Sequence, residues 1–473
     1  MPAPEIKKHL ILREASIYEA MRGVEKGAVG VAFVVDSGNK LCGVVSDGDI
    51  RRALLAGHHM NSKVSKIMNK KYVYARQDDD YSEIVNKLRG YIKIVPIVDR
   101  NKQVIDFVGC DKNARIPVAS PSLMGNEYSY LTDAFLSTWI SSTGEYINRF
   151  ERDFSKFCRC KYGVSTSNGT AALHLALVAL GVGPGDEVIV PDFTFAASAN
   201  AVLHAGAKPV LVDVEREYWT IDPAEITKAI TPKTKAIMPV HIYGQPCNMA
   251  EIMKIAKKHK LFVVEDCAEA HGARFDGRKV GSFGHIGCFS FFANKVITTG
   301  EGGMCVTNSK KLNRRMRVLR DHGMSLSKKY WHDEVGFNYR MTNMQAAVGC
   351  AQLERIGENL KRRRNLENRY KKVLSKFDFI KFQKDRPRGK RITWLVSVLV
   401  GGKRREKLLG KLTNQKIDTR PFFYSLGAMP LYKKYLFSNK NSMDISAAGI
   451  NLPTQNNLND KELGRINNTI KES

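Results

Sequence analysis

Between residues 160 and 310 the chain alternates short apolar runs with helical patterns, and only a layered α/β fold accommodates that rhythm over such a length. The runs are YGVSTS (162–167), EVIVPDF (187–193), PVLVDV (209–214), KAIMPVHI (235–242), LFVVED (261–266) and GMCVTN (303–308). Several are apolar at consecutive positions, as strands of a parallel sheet covered on both faces must be. Between them TAALHLALVAL (170–180) and MAEIMKIAKKH (249–259) carry helical spacing. Residues 125–355 are therefore expected to form a wound α/β domain around a largely parallel sheet. Residues 356–473 are expected to form a smaller α+β domain that begins with a helix, and 116–124, within the proline-containing stretch KNARIPVASPSLM, a linker.

The first 115 residues obey a different rule, an internal repeat. Tyr18 and Tyr81, Val35 and Val98, and Asp36 and Asp99 are each separated by 63 positions. Each copy reads as a helix, an apolar strand (GVAFVVD; KIVPIVD), a polar turn (SGNK; RNKQ) and a second strand. The first copy continues GVVSDGDIRRAL (43–54), which resembles the strand-to-helix turn of a CBS-domain pair. That resemblance implies that Ser46 and Asp49 hold the phosphate and ribose of a regulatory nucleotide, where helix-start amides favour phosphate. The second copy departs from the motif, reading DFVGCDK (106–112), so at most one such site per chain is expected. The alternative is a purely structural role for the pair.

Composition excludes some classes outright. With 43% hydrophobic and 26% charged residues the chain of 473 is not disordered, and it has no uninterrupted apolar run of ~18 residues and no leader pattern. A cytoplasmic protein without a membrane partner is expected. The nine cysteines form no paired CxxC pattern and read as free thiols, and no metal site is expected. The net charge of +28 raises nucleic acid as a partner, but no nucleic-acid module accompanies it. Much of the excess lies in residues 355–473, which hold 28 Lys and Arg against 10 Asp and Glu. A basic surface that attracts a small anionic substrate is the reading kept.

Three segments carry chemistry. Ser167-Asn168-Gly169-Thr170 joins a strand to an Ala/Leu-rich helix, where a glycine and free amides suit a phosphate, or form an ordinary turn. Asp266, in VVEDCAEA, ends an apolar strand at the edge where open α/β sheets bind ligands. It could ligate a metal, bind a ribose, hold a protonated ring nitrogen, or simply cap a helix. Lys295 follows the aromatic run FSFFAN and precedes TTGEGG, a setting for a desolvated, nucleophilic amine or for a surface lysine. In that order on a wound α/β domain they supply what pyridoxal 5'-phosphate needs: a phosphate anchor, a carboxylate for the ring nitrogen and a lysine for the aldehyde.

Residues 116–473 resemble the DegT/DnrJ/EryC1/StrS family of nucleotide-sugar aminotransferases, of fold type I. The matching stretches are IPVASPSLMGNE, TWISSTGEYINRFE, SNGTAALHLALVALGVGPGDEVIVP, PVHIYGQPCNM, VVEDCAEAHGA, SFFANKVITTGEGGM and GFNYRMTNMQAAVG. The resemblance implies that Lys295 is the Schiff-base lysine and the acid/base of the proton transfer. It implies that Asp266 pairs with the ring nitrogen and Glu269 lies near the phenolic oxygen. Gly169, Thr170 and Ser290 would hold the phosphate, and Phe195 would stack on the ring. Asn338 would reach the phosphate from a neighbouring subunit, so at least a homodimer is expected. The implied reaction moves an amino group from L-glutamate to the C4 ketone of a nucleotide-linked 4-keto-6-deoxyhexose, for surface-glycan synthesis. GDP-4-keto-6-deoxy-D-mannose is the expected substrate; a UDP-sugar, a 3-aminotransferase reaction or a non-catalytic nucleotide sensor are the alternatives. The segment Arg420–Ser425 (RPFFYS) matches the family only in part, and it helps to shape the sugar site.

Overall fold

The computed structural model describes residues 6–27, 30–79, 83–84, 87–88, 92, 94–109, 115–401, 404–456 and 458–472. Contacts divide the chain into two compact units, 1–115 and 116–473. In the first, β1 (Leu10–Leu12) runs parallel to β2 (Val31–Val35), which pairs antiparallel with β3 (Leu41–Ser46). The second copy repeats this with β4 (Ala75–Arg76), β5 (Ile94–Val98) and β6 (Val104–Gly109).

The repeat extends to irregularities that composition cannot show. The register slips between Val34 and Val35, and again between Ile97 and Val98. Asp36 Oδ1 accepts from the amides of Gly38 and Lys40, and Asp99 Oδ1 from those of Asn101 and Gln103. Each carboxylate closes its turn in the same way, with the left-handed residue at Asn39 (φ 59°) and Lys102 (φ 62°). The two turns then bond each other, Leu41 N to Lys102 O at 2.9 Å and Val104 N to Asn39 O at 3.2 Å. Tyr81, Cys110, Asp111 and Lys112, on which parts of the repeat reading rested, lie outside the described residues.

The second unit is built on a seven-stranded sheet. Its members are β7 (Tyr162–Thr166), β8 (Glu187–Pro191), β9 (Lys208–Val212), β10 (Thr234–Ile237), β11 (Phe262–Asp266), β14 (Ile286–Ser290) and β15 (Gly303–Thr307). Short strands β12 (Arg274–Phe275) and β13 (Arg278–Lys279) form a hairpin outside it. The order is β7-β15-β14-β11-β10-β8-β9, parallel except for β15, which is antiparallel to both neighbours. Strands β8, β14 and β15 are buried at every residue, which explains their unbroken apolar character. Strand β14 was not expected as a strand. Its sequence IGCFS has a glycine and only five residues, and the aromatics that continue past it hide where it stops. The run KAIMPVHI is strand only to Ile237, because Pro239 has no amide to donate to a ladder.

Helix Glu145–Cys158 turns Ile147, Phe150, Phe154 and Cys158 inward at helical spacing. Phe154 meets Phe289 and Phe291 edge-on, each at 5.0 Å between ring centres, directly under the chain that leads to Lys295. On the same helix Glu151 is buried and pairs with Arg317 and Arg320, both at 2.6 Å. The C-terminal part adds β16 (Ile380–Phe382), β17 (Gly389–Lys390), β18 (Val396–Val400), β19 (Arg420–Pro421) and β20 (Gly449–Leu452). Strand β17 joins β12, and the other four form an antiparallel sheet in the order β16-β18-β20-β19.

Residues 116–120, expected to lie in a linker, are instead part of this body. Ile116 and Val118 are buried, Ile116 bonds Lys416 and Asp418 through the backbone, and Thr454 N donates to Val118 O at 2.7 Å. Pro117, with Pro121 just after, fits an extended segment laid along neighbouring chain, which from sequence looks the same as a free connector. Among the described residues no helix is long and apolar enough to cross a membrane.

Replacing Phe154 by alanine removes a fully buried ring from five aromatic partners, Phe150, Phe157, His271, Phe289 and Phe291. Phe154→Ala is expected to cost about 3–5 kcal/mol of stability, read as a lowered unfolding midpoint of the second unit in a denaturant titration.

Candidate active site

The C-terminal edge of the parallel strands gathers the residues that the sequence singled out, and packing explains why. Strand β11 ends in Asp266, 5% exposed, whose Oδ2 accepts from Ser198 Oγ at 2.8 Å and whose Oδ1 accepts from Ala268 N at 3.1 Å. Ser198 in turn lies 3.0 Å from Thr194 Oγ1, so the loop after β8 steadies the carboxylate. Burial pushes the Asp266 pKa up, against the pull of those two donors and of Lys295. Both direct donors are neutral, which leaves room for a cationic partner.

Glu269 follows one turn later. Its Oε2 accepts from Tyr243 N at 2.8 Å, and its Oε1 lies 3.9 Å from Lys295 Nζ. Tyr243 can present its amide because the chain reverses there, with Tyr243 at φ 50° and Gly244 at φ 86°. Glycine is required at 244, where a Cβ would stand 2.2 Å from Ile392 O.

Lys295 reaches the same place from the loop after β14. Its side chain is 11% exposed, and Nζ sits over the Trp394 ring at 4.0 Å from its centre. Burial lowers the amine's pKa; Glu269 and Asp266 oppose this, and the guanidinium of Arg363 reinforces it. Glu269 is moved the other way, up, by the same burial, with Lys295 restraining it. Desolvation of this kind raises the share of neutral, nucleophilic amine.

The anion cradle lies beside them. Asn168 caps helix Gly169–Ala179 by accepting from Ala171 N at 2.8 Å, which leaves the amides of the first turn facing outward with the positive end of the helix dipole. Ser290, the last residue of β14, is so close that a Cβ on Gly169 would stand 2.7 Å from Ser290 Cβ. The structure thus brings Gly169, Thr170 and Ser290 to one corner. Phe195, 58% exposed, lies 5.5 Å from Phe423, which stacks 5.7 Å from Tyr243. This puts the RPFFYS segment next to the loop of Phe195 and Ser198. A buried carboxylate with neutral donors, a desolvated amine and a glycine-opened helix start next to a hydroxyl fit the ring nitrogen, aldehyde and phosphate of pyridoxal phosphate.

Sequence reasoning missed Ser198, Tyr243, Trp394 and Arg363. Ser198 had a signal, since it follows a strand at the ligand-binding edge; Trp394 and Arg363 come from far along the chain and had none. Asn338 is not joined to this cluster by any contact among the described residues, and its Oδ1 accepts from Arg340 Nε at 3.2 Å. Ser46 and Asp49, in the first unit, bond each other. Asp49 Oδ2 accepts from Ser46 Oγ at 2.7 Å and from Ser46 N at 2.9 Å, a capping box for helix Asp47–Leu55. His241, Glu265 and Cys267 form a buried group with donor atoms within 4.8 Å, but amides of Gly281, Phe283 and Gly284 already fill the Glu265 oxygens. A surface cleft of about 480 Å³, lined in part by Arg152, Lys156, Arg159, Lys161 and Arg317, shares no residue with the Asp266–Lys295 cluster.

Comparison with known proteins agrees with this geometry. Residues 121–471 match the DegT/DnrJ/EryC1/StrS aminotransferase family, and 9–56 and 64–109 match the CBS domain. The chain is 45% identical over 358 residues to a GDP-perosamine synthase of Escherichia coli O157:H7, covering 76% of this chain and 98% of that protein. It is 43% identical over 363 residues to a GDP-perosamine synthase of Vibrio cholerae, covering 75% and 98%. Among solved structures it is similar to S. venezuelae DesV, with 33% identity and a TM-score of 0.70 over 73% of this chain and 94% of that one.

The tight corner at Gly169 generates a test. Gly169→Ala forces a methyl group against Ser290 and is expected to weaken pyridoxal phosphate binding about tenfold or more, the loss of one charge-assisted hydrogen bond. A spectroscopic titration of cofactor-free protein measures it, and unchanged affinity would place the phosphate elsewhere.

Proposed function

The chain belongs to the DegT/DnrJ/EryC1/StrS aminotransferase family, and we propose that it transfers an amino group to the C4 ketone of a GDP-linked 4-keto-6-deoxyhexose. L-Glutamate is the proposed donor, and GDP-4-keto-6-deoxy-D-mannose the proposed acceptor, giving GDP-perosamine. The observation that carries the reading is the meeting of Asp266, Glu269 and Lys295 at one sheet edge, in a chain 43–45% identical to GDP-perosamine synthases.

Bound pyridoxal phosphate supplies an aldehyde carbon and an electron-accepting ring through which the amino group passes. The residues of this chain do the rest. Asp266, held by Ser198 and Ala268, would keep a proton on the ring nitrogen. Gly169, Thr170 and Ser290 would take the phosphate, and Phe195 would cover the ring. Lys295 Nζ, beside Glu269, would take a proton from the donor's α-carbon and deliver one at the sugar's C4. Trp394 and the neighbouring aromatics exclude water from that amine. Asn338 would reach the phosphate from a second copy of the chain. The exposed apolar side chains of Tyr128, Phe135, Leu136 and Trp139 support such a dimer. The basic surface favours a doubly anionic nucleotide sugar.

Incubation with glutamate and a panel of GDP- and UDP-linked 4-keto-6-deoxy sugars, read by mass spectrometry, tests the reading. Amination of the GDP-mannose derivative at C4 is expected, and turnover confined to UDP-sugars would select the alternative substrate. Lys295→Ala is expected to lower turnover by at least the roughly 10²–10⁴-fold that losing an acid/base costs.

For the CBS pair we propose one regulatory nucleotide site per chain, at the start of helix Asp47–Leu55. The partly buried Ser46–Asp49 capping box supports it by fixing a hydroxyl and a carboxylate at the positive end of the helix dipole. Calorimetry with a nucleotide panel is expected to show binding that Asp49→Ala removes without altering amination. No binding at millimolar concentration would leave the pair a structural module.

A further inference from the structure

Arg363 lies inside the protein without a carboxylate. It projects from helix Ile356–Leu374, is 2% exposed, and makes no ion pair among the described residues. Its neighbours behave differently: Arg364 pairs with Glu367 at 3.2 Å and Asp385 at 3.0 Å, and Arg391 takes the other Glu367 oxygen. Buried cations are normally paired, because taking one out of water is expensive. An unpaired one needs a reason.

The groups that Arg363 does hold point to it. Nη1 donates to the carbonyl of Trp394 at 2.6 Å, and Nη2 to the carbonyl of Lys295 at 3.2 Å. Trp394 closes the circuit twice, since its Nε1 donates to Asn294 O at 3.0 Å and its ring lies 4.0 Å from Lys295 Nζ. One turn earlier on the same helix, Asn359 Nδ2 reaches Val296 O at 3.5 Å. Three consecutive carbonyls, 294 to 296, are therefore gripped by side chains from the helix and from Trp394.

We infer that Arg363 is a positioning residue for Lys295: its fork fixes the lysine backbone against Trp394, and its uncompensated charge favours the neutral amine. The groups facing Lys295 are few. Glu269 and Asp266 favour its charged form, as does the Trp394 ring. His271 nearby is held neutral by burial, with a pKa of about 3. Burial and Arg363 act against the charge on Lys295. Arg363 thus adds a fixed positive charge to the effect of burial, and both oppose the two carboxylates that favour the protonated lysine. Its role rests on the reading of Lys295 as the cofactor-bearing lysine. The test uses full-length protein freed of cofactor, so the two can fail separately.

The measurement is the pH dependence of Lys295 acylation by trace acetic anhydride, quantified on its peptide by mass spectrometry. Arg363→Gln keeps a donor but loses the charge, and is expected to raise the midpoint by about one pH unit, roughly tenfold less neutral amine at pH 7. Arg363→Lys keeps the charge and is expected to stay within about 0.3 units of the parent. An unchanged midpoint in Arg363→Gln would overturn the electrostatic role. Should circular dichroism show that Arg363→Gln does not fold, Arg363→Lys carries the test. One ammonium cannot hold both carbonyls in the fork, so pyridoxal phosphate affinity is expected to fall about tenfold. Parent-like affinity in Arg363→Lys would overturn the positioning role.

Discussion

Keeping an amine and two carboxylates out of water within one small space is the constraint around which the second unit is organised. Lys295, Glu269 and Asp266 are each nearly or fully buried, and none is fully neutralised by a single close partner. Such groups destabilise a fold unless hydrogen bonds and packing hold them rigidly. Asp266 gets Ser198 and an amide, Glu269 gets the amide of a strained turn at Tyr243, and Lys295 gets an indole face. The supports come from separate parts of the chain: the helix after β8, the turn after β10 and the segment before β18. The stored electrostatic cost is what makes the site chemically useful, since it keeps a lysine nucleophilic and a carboxylate ready for a cationic ring.

The sheet makes this arrangement affordable. Five consecutive parallel strands, β14-β11-β10-β8-β9, end on one edge, so loops far apart in sequence converge without long connections. Beneath them the ring cluster of Phe150, Phe154, Phe289 and Phe291 fixes where β14 ends and hence where the Lys295 loop begins. From the other side helix Ile356–Leu374 grips that loop through Arg363 and Asn359. The lysine is held between a rigid strand and a rigid helix, a geometry that limits how far its amine can wander.

Much of this was legible in the sequence because it is local. The alternation of apolar runs announced the wound sheet, and Asp266 and Gly169 sit at a strand end and a helix start that the periodicity exposes, while Lys295 was marked by the aromatic run before it and the glycine-rich turn after it. The repeat of the first unit was visible in Val35 and Val98 and proved to extend to matching bulges and turns. What sequence did not reveal is non-local. Trp394 and Arg363 meet Lys295 from 99 and 68 positions away, by contacts to carbonyls and a ring face that leave no local pattern. Strand β14 was hidden by its own aromatic continuation, and residues 116–120 by Pro117 and the following Pro121, which mimic a connector. Ser46 and Asp49 were read by their chemistry alone, while the fold also uses them to cap a helix.

The central claim is that Lys295, at this edge, is the residue that carries pyridoxal phosphate. Borohydride reduction of the full-length, cofactor-loaded protein followed by peptide mass mapping tests it most directly. The account predicts a pyridoxyl-phosphate mass increment on the peptide containing Lys295 and on no other lysine peptide. An increment on a different lysine, or none at all in protein that has taken up the cofactor, would contradict it.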